Sequence, residues 1–174
     1  MNASFYLRVK AFLFDYLLMA AYGAVLFFLS TVLFPSIQQW FSGGAATAQT
    51  VGFLLVTLPV SLYFIVSDSV IGGQSFGKRK TGIQVVDHQY HALSVPRAVV
   101  RTVLKFLPWE LSHSMVYRMV DSGGGDVPWE LYLQVALVYF FIFTYVLLAV
   151  FTKKKQSLYD KLTGTQVIKI PRQS

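Results

Sequence analysis

The sequence predicts an all-α membrane protein: a four-segment transmembrane helical bundle with a small cytoplasmic β element. Three observations predict it. Tyr16–Phe34, Val51–Val66 and Leu131–Thr152 are apolar runs without a charged residue, and about 20 such residues make a helix that crosses the ~30 Å hydrocarbon core. Of the 15 Lys and Arg residues, every one except Arg118 precedes the first run, follows the second within the stretch up to Lys105, or follows the last. Cytoplasmic loops collect Lys and Arg, so both termini read as cytoplasmic and the number of crossings is even. The fourth crossing then falls on about residues 97–120, where Lys105, Pro108, Glu110, His113 and Arg118 interrupt the apolar pattern. Finally, Gly82–Val86 and Thr165–Ile170 switch to short, β-branched, partly alternating patterns.

Composition narrows the class. The chain is 55% hydrophobic and 13% charged, whereas soluble domains carry roughly 25% charged residues. Aromatic residues such as Tyr6, Trp40, Phe41, Trp109, Trp129 and Tyr132 stand where interface belts lie. The absence of cysteine excludes disulfides and thiolate metal sites. A net charge of +7 fits nucleic acid or an anionic membrane surface. Because the basic residues border apolar spans, anionic inner-leaflet lipids are the expected partner and nucleic acid is not. The first apolar run exceeds the roughly 7–15 residues of a signal-peptide core, so it reads as a retained signal anchor.

In chain order, segment one covers about 9–34 and ends at Pro35-Ser36. A small, polar connector containing Gly43-Gly44-Ala45-Ala46 leads to segment two, about 50–71, with Pro59 inside. Membrane helices tolerate such a proline when a neighbour satisfies the freed carbonyl. Asp68 stands near its cytoplasmic end. Gly82–Val86, a polar turn Asp87–Tyr90 and His91–Val95 then read as a hairpin over 82–95, and the tail 164–170 is expected to pair with it beneath the helices. In segment three, Arg97, Arg101 and Lys105 share one helical face, opposite Val99, Val100, Val103 and Leu104. That amphipathic pattern fits either an interfacial helix or the entry half of a crossing, bent or broken at Pro108. After the glycine-rich loop Asp121–Pro128, segment four covers about 129–152 and ends at a triple lysine. A residue at Gly124 is expected to be reachable from outside.

Few residues carry chemistry. Arg8 and Asp15 are nearly two turns apart on one helix face, about 10.5 Å along the axis. Helical side chains lean toward the N-terminus, so Arg8 leans away from Asp15 and each is expected to meet another segment. Arg8 can also snorkel to the surface. Asp15 is too short to do so and must be paired, protonated or facing a wet cavity; a structural ion pair and a cation or proton site both remain open. Gly72 to Lys78 has the spacing of a phosphate loop, but Arg79 replaces the magnesium-holding hydroxyl and a strand follows, so nucleotide is not expected. Glu110 and His113 lie i, i+3, but two ligands make no metal site, and an interhelical hydrogen bond is the plainer reading. Ser75 and Ser157 have no base at recognisable spacing. No enzyme activity, cofactor or metal is expected.

Gly73-Gln74-Ser75-Phe76-Gly77-Lys78-Arg79, followed by Gly82-Ile83-Gln84-Val85-Val86-Asp87, resembles the signature stretch of the RDD family of small integral membrane proteins, and the likeness spans most of the chain as a single domain. The family is named for one arginine and two aspartates. Its first-helix pair matches Arg8 and Asp15, and its C-terminal motif matches Asp160-Lys161-Leu162-Thr163-Gly164-Thr165, which makes Asp160 the second aspartate. Arg101 resembles a recurrent arginine of the next helix. Two departures are the missing glycine after Asp87 and Lys161 where arginine is commoner. The resemblance implies a multi-pass protein of a bacterial cell (inner) membrane. Some members resemble sodium/proton antiporters and others look like partners of membrane protein complexes. The first expectation is therefore a cation/proton exchanger with Asp15 and Asp68 as ion- or proton-binding residues, and Arg8, Arg101 and Asp160 as a gate or structural ion pairs. Its substrates are a monovalent cation and a proton, and so short a chain is expected to form homo-oligomers if it transports. The alternative is a non-enzymatic adaptor of another membrane protein.

Overall fold

Three rods of helix are long and apolar enough to cross a membrane: Phe5–Leu33, Ala45–Asp68 and Trp129–Phe151. They come from a computed structural model that describes residues 2–123 and 128–170; Gly124 lies outside the described residues. The first rod is helix α1 (Phe5–Phe28) continued by a π-helical turn, Leu29–Leu33. Ser4 caps its start, accepting from the Leu7 amide at 3.4 Å. After the short α2 (Ser36–Gln39), α3 (Ala45–Gly52), a second π-helical turn (Phe53–Thr57) and α4 (Leu58–Asp68) form the second rod. The third is α7 (Trp129–Phe151). On α1 only Ala11 and Asp15 are buried, and a helix that turns apolar side chains outward all round is built for lipid. The connector expected before residue 50 is largely helical, because Gly44 at φ 87° stops the preceding turn and Ala45-Ala46 then favour helix.

Between the second and third rods lie α5 (Phe76–Thr81), strand β1 (Ile83–Asp87) and α6 (Val95–Asp121). Gly82, at φ 66°, ends α5 in the left-handed conformation that glycine adopts without penalty. The chain closes with α8 (Leu158–Leu162) and β2 (Thr165–Lys169). The two strands pair antiparallel, Ile83 opposite Lys169 and Asp87 opposite Thr165. The expected hairpin return is reduced to single bridges, Val86 with Ala92 and Leu93 with Ser69. The cause is local. The Asp87 carboxylate accepts from the Gln89 and His91 amides at 2.8 and 2.9 Å, winding the chain tightly. Pro96 then sits in the first turn of α6, where its missing N–H costs nothing. The main apolar core joins sheet to helices, with Ala3, Ala11, Ile83, Val85, Leu93, Ala98 and Val167 packed together.

The expected break at Pro108 is absent: α6 runs uninterrupted through it for 27 residues, roughly 40 Å. Its ring denies a donor to the carbonyl of Leu104, four residues earlier, and the Tyr145 hydroxyl of α7 donates to that oxygen at 2.5 Å. Pro59 is treated the same way. The Leu55 carbonyl that it orphans accepts from the Tyr22 hydroxyl of α1 at 2.6 Å. Where no water is available, an unsatisfied carbonyl costs several kcal/mol, so each tyrosine keeps a proline-bearing helix intact and ties it to a neighbour. The arrangement predicts a specific coupling. Tyr145→Phe should destabilise the detergent-purified protein by about 1 kcal/mol, yet cost almost nothing in Pro108→Ala, whose restored N–H serves Leu104; equal losses in both backgrounds would contradict it.

Candidate functional site: a buried chain of charges

The charged side chains that the apolar pattern cannot absorb meet at the end of the bundle beside the sheet. Asp160, at 0% exposure, accepts from Arg8 Nη1 at 2.8 Å and from Arg101 Nη2 and Nε at 2.8 and 3.1 Å. Arg101 turns its third nitrogen, Nη1, to Asp68 Oδ2 at 3.1 Å. Lys78 Nζ holds both Asp68 oxygens, at 2.6 and 2.9 Å. The result is one line, Arg8–Asp160–Arg101–Asp68–Lys78, joining α1, α8, α6, α4 and α5. Each buried charge has an opposite neighbour, which such burial demands. Burial opposes ionisation of Asp160, but the Arg101 and Arg8 guanidiniums beside it hold its carboxyl below the usual carboxylate range. The Arg101 guanidinium also lies over the Tyr159 ring, 5.0 Å from its centroid.

Asp15 joins the line differently. It makes no ion pair with Arg8, and its carboxylate accepts from neutral donors: the Tyr63 hydroxyl at 2.9 Å, the Ser75 hydroxyl at 2.7 Å and the Gly77 amide at 2.7 Å. The first amides of α5 are thereby satisfied, because Phe76 N–H donates to Tyr63 Oη at 2.8 Å and Lys78 N–H to Ser75 Oγ at 3.4 Å. Asp15 is therefore an anionic anchor at the amino end of α5. Ser75 Oγ also lies 3.4 Å from Lys78 Nζ, so Asp15 and Asp68 communicate through Ser75 and Lys78 and not by direct contact. Gly77 permits the approach: a Cβ there would stand 1.9 Å from the Ala11 carbonyl oxygen.

Of the residues singled out in the sequence, Arg8, Arg101, Asp68 and Asp160 converge, with Asp15 one hydroxyl away. Lys78, Ser75 and Tyr63 belong to the same site, although sequence reasoning did not assign them. Lys78 stood in a run of three bases whose neighbours gave no sign of burial. Lys105 is a fourth basic residue of the site. Its ammonium forms no ion pair with a described residue and sits 3.5 Å from the Phe64 ring centroid. Farther along α6 is a smaller polar cluster. Thr57 donates to Glu110, Trp109 Nε1 donates to Thr57 at 3.3 Å, and His113 bonds the Trp109 carbonyl within its own helix. Among the described residues no three His, Asp or Glu side chains are grouped to hold a metal.

A cavity of about 490 Å³ opens onto the charge line between α1 and α7; Asp15, Lys78, Arg101 and Lys105 are among its walls. Near the Thr57–Glu110 cluster lies a crevice of about 70 Å³. Phe64 lines the cavity, and its ring stands 5.7 Å from that of Phe106. Apolar rods around a mutually compensated Arg/Lys–Asp line define a helical integral membrane protein. The chain belongs to the RDD family, whose model matches residues 2–164. Comparison with curated proteins and with solved structures found no match to either.

The backbone contact at Gly77 gives a sharp expectation. Gly77→Ala must push α5 off α1 and should cost about 3 kcal/mol or more in unfolding measurements on the purified protein. Gly23→Ala, on the same first helix with nothing within 4 Å of the added Cβ, should be neutral or slightly stabilising.

Proposed function

We propose that this chain is a non-enzymatic, four-segment protein of a bacterial inner membrane that exchanges a monovalent cation for a proton at the Asp68–Lys78–Ser75–Asp15 cluster. Both termini lie in the cytoplasm in this reading, and α6 is the fourth crossing. Its packing against α3, α4 and α7 supports that position. What chiefly supports exchange is the identity of the ion holding Asp68. Arginine cannot give up its proton in a protein, whereas a buried lysine can. Arg8 and Arg101 therefore hold a fixed frame, and Lys78 is the removable cation. An incoming sodium or lithium ion takes the place of its ammonium on the Asp68 carboxylate, with Ser75 Oγ and Asp15 close by as further oxygens. The proton leaves from Lys78, and reprotonation expels the cation. The 490 Å³ cavity supplies access from one side. The Glu110 crevice begins about 7.5 Å beyond Lys105 along α6 and supplies a polar vestibule on the other.

A second reading, a non-transporting adaptor of another membrane protein, draws support from Asp160. Its two cationic partners are both guanidiniums, which supports reading that half of the line as a lock.

Vesicles holding the purified protein under a pH gradient decide between them. Exchange predicts sodium- or lithium-dependent proton efflux that is lost in Lys78→Arg, which keeps the charge but cannot release a proton, and reduced in Asp15→Asn. Unaltered efflux in both variants would overturn the site. No cation-dependent efflux from wild-type vesicles, with a stoichiometric membrane partner crosslinked in native membranes, would establish the adaptor.

A further inference from the structure

The cavity between α1 and α7 has a composition that simple lipid contact does not explain. These two helices flank it without packing along each other. Its mouth is apolar and open: Val9 and Phe12 on α1 and Ile142 and Val146 on α7 all line it and are 37–49% exposed. Its depth is cationic. Arg8, Lys78, Arg101 and Lys105 line it, against the carboxylates of Asp15, which also lines it, and of Asp68 and Asp160 directly behind. Four cations face three carboxylates, so one positive charge is left over. The basic side chain left without a carboxylate among the described residues is Lys105: Arg8, Lys78 and Arg101 each hold an aspartate, while Lys105 meets an aromatic face. Arg8 adds two buried N–H-bearing nitrogens, Nε and Nη2, that have no hydrogen-bond partner among the described residues.

We infer that the cavity is a binding site for one anionic glycerophospholipid, with its phosphodiester beside Lys105 and its acyl chains leaving between α1 and α7. Charge and shape select this occupant together. A phosphodiester carries the single negative charge that neutralises the surplus, whereas a neutral helix of another protein would bury Lys105 uncompensated. A free anion would neutralise Lys105 but leave the apolar mouth empty. The volume matches a lipid headgroup with the first part of its chains, within the ~300–1,000 Å³ range of ligand cavities. The depth agrees as well. The lining residues of α7 belong to its last three turns and those of α1 to its first three, which is the headgroup and upper-chain level of the leaflet on the basic side. The proposed exchange uses the same cavity as its access route, so a bound lipid would share that route; lipid retention is read without any flux measurement, and its loss leaves exchange to be judged by efflux alone.

Native mass spectrometry of the detergent-purified protein, titrated with phosphatidylglycerol or with phosphatidylethanolamine of the same chain length, tests it. The wild type should retain one phosphatidylglycerol in clear preference to phosphatidylethanolamine. Lys105→Gln should weaken that retention at least about fivefold, the worth of one basic residue against anionic lipid. Val146→Trp, which fills the mouth without altering charge, should weaken it too and decides the matter if Lys105→Gln fails to fold. Equal retention of the two lipids, or wild-type retention of phosphatidylglycerol in both variants, would overturn the site. Displacement by millimolar inorganic phosphate would assign it to a soluble anion instead, and a dimer mass that excludes lipid would assign the groove to a second copy.

Discussion

Asp160 sits at zero exposure between two guanidiniums, and the rest of the architecture at this end of the bundle follows from that contact. A buried carboxylate without a cation is expensive, and so is a buried guanidinium without an anion. Asp160 takes Arg8 from the first helix and Arg101 from α6. Arg101 still has a nitrogen to spare and takes Asp68 from α4, and Asp68 takes Lys78 from α5. Five elements far apart in sequence are thus fixed in one arrangement by charge compensation. Apolar packing in lipid is poorly able to do this, since lipid tails compete with every apolar side chain.

Backbone groups are handled by the same requirement. Pro59 and Pro108 each leave a carbonyl without a helical donor, and Tyr22 and Tyr145 supply one from the neighbouring helix. The amides that begin α5, which have no partner within the helix, are met by Tyr63, Asp15 and Ser75. Polar side chains here do what water does for a soluble protein. Much of the specificity of the bundle therefore resides in a few hydroxyls and carboxylates.

The three apolar rods were plain in the sequence because hydropathy over a span-length window leaves little alternative. The charge partners were partly legible. Arg8 and Asp15 had to seek other segments because their side chains lean the same way along one helix, and the structure gives each a partner elsewhere. Lys78 was hidden within Lys78-Arg79-Lys80, since a basic run at a membrane edge reads as solvated and only tertiary contact shows which base turns inward. The break expected at Pro108 did not form because its remedy comes from Tyr145, 37 positions away, beyond anything local proline propensity reveals. The return strand at His91–Val95 failed for the converse reason: Asp87 and Pro96 impose a turn and a helix start that the alternating pattern does not reveal.

The line of alternating charge ends in two arginines on one side and a lysine on the other, and the proposed function rests on that difference. The Arg8–Asp160–Arg101 end cannot discharge and keeps the helices in register. Lys78 is the one member of the line that is not an arginine or an aspartate, and the proposed exchange places the change of occupant there, away from the contacts that hold the helices. That division requires strong coupling at the fixed end. A double-mutant cycle on Arg101→Met and Asp160→Asn, read by unfolding of the purified protein, measures it directly. A coupling energy of about 2 kcal/mol or more is the result the account predicts; additive losses, with coupling indistinguishable from zero, would contradict it.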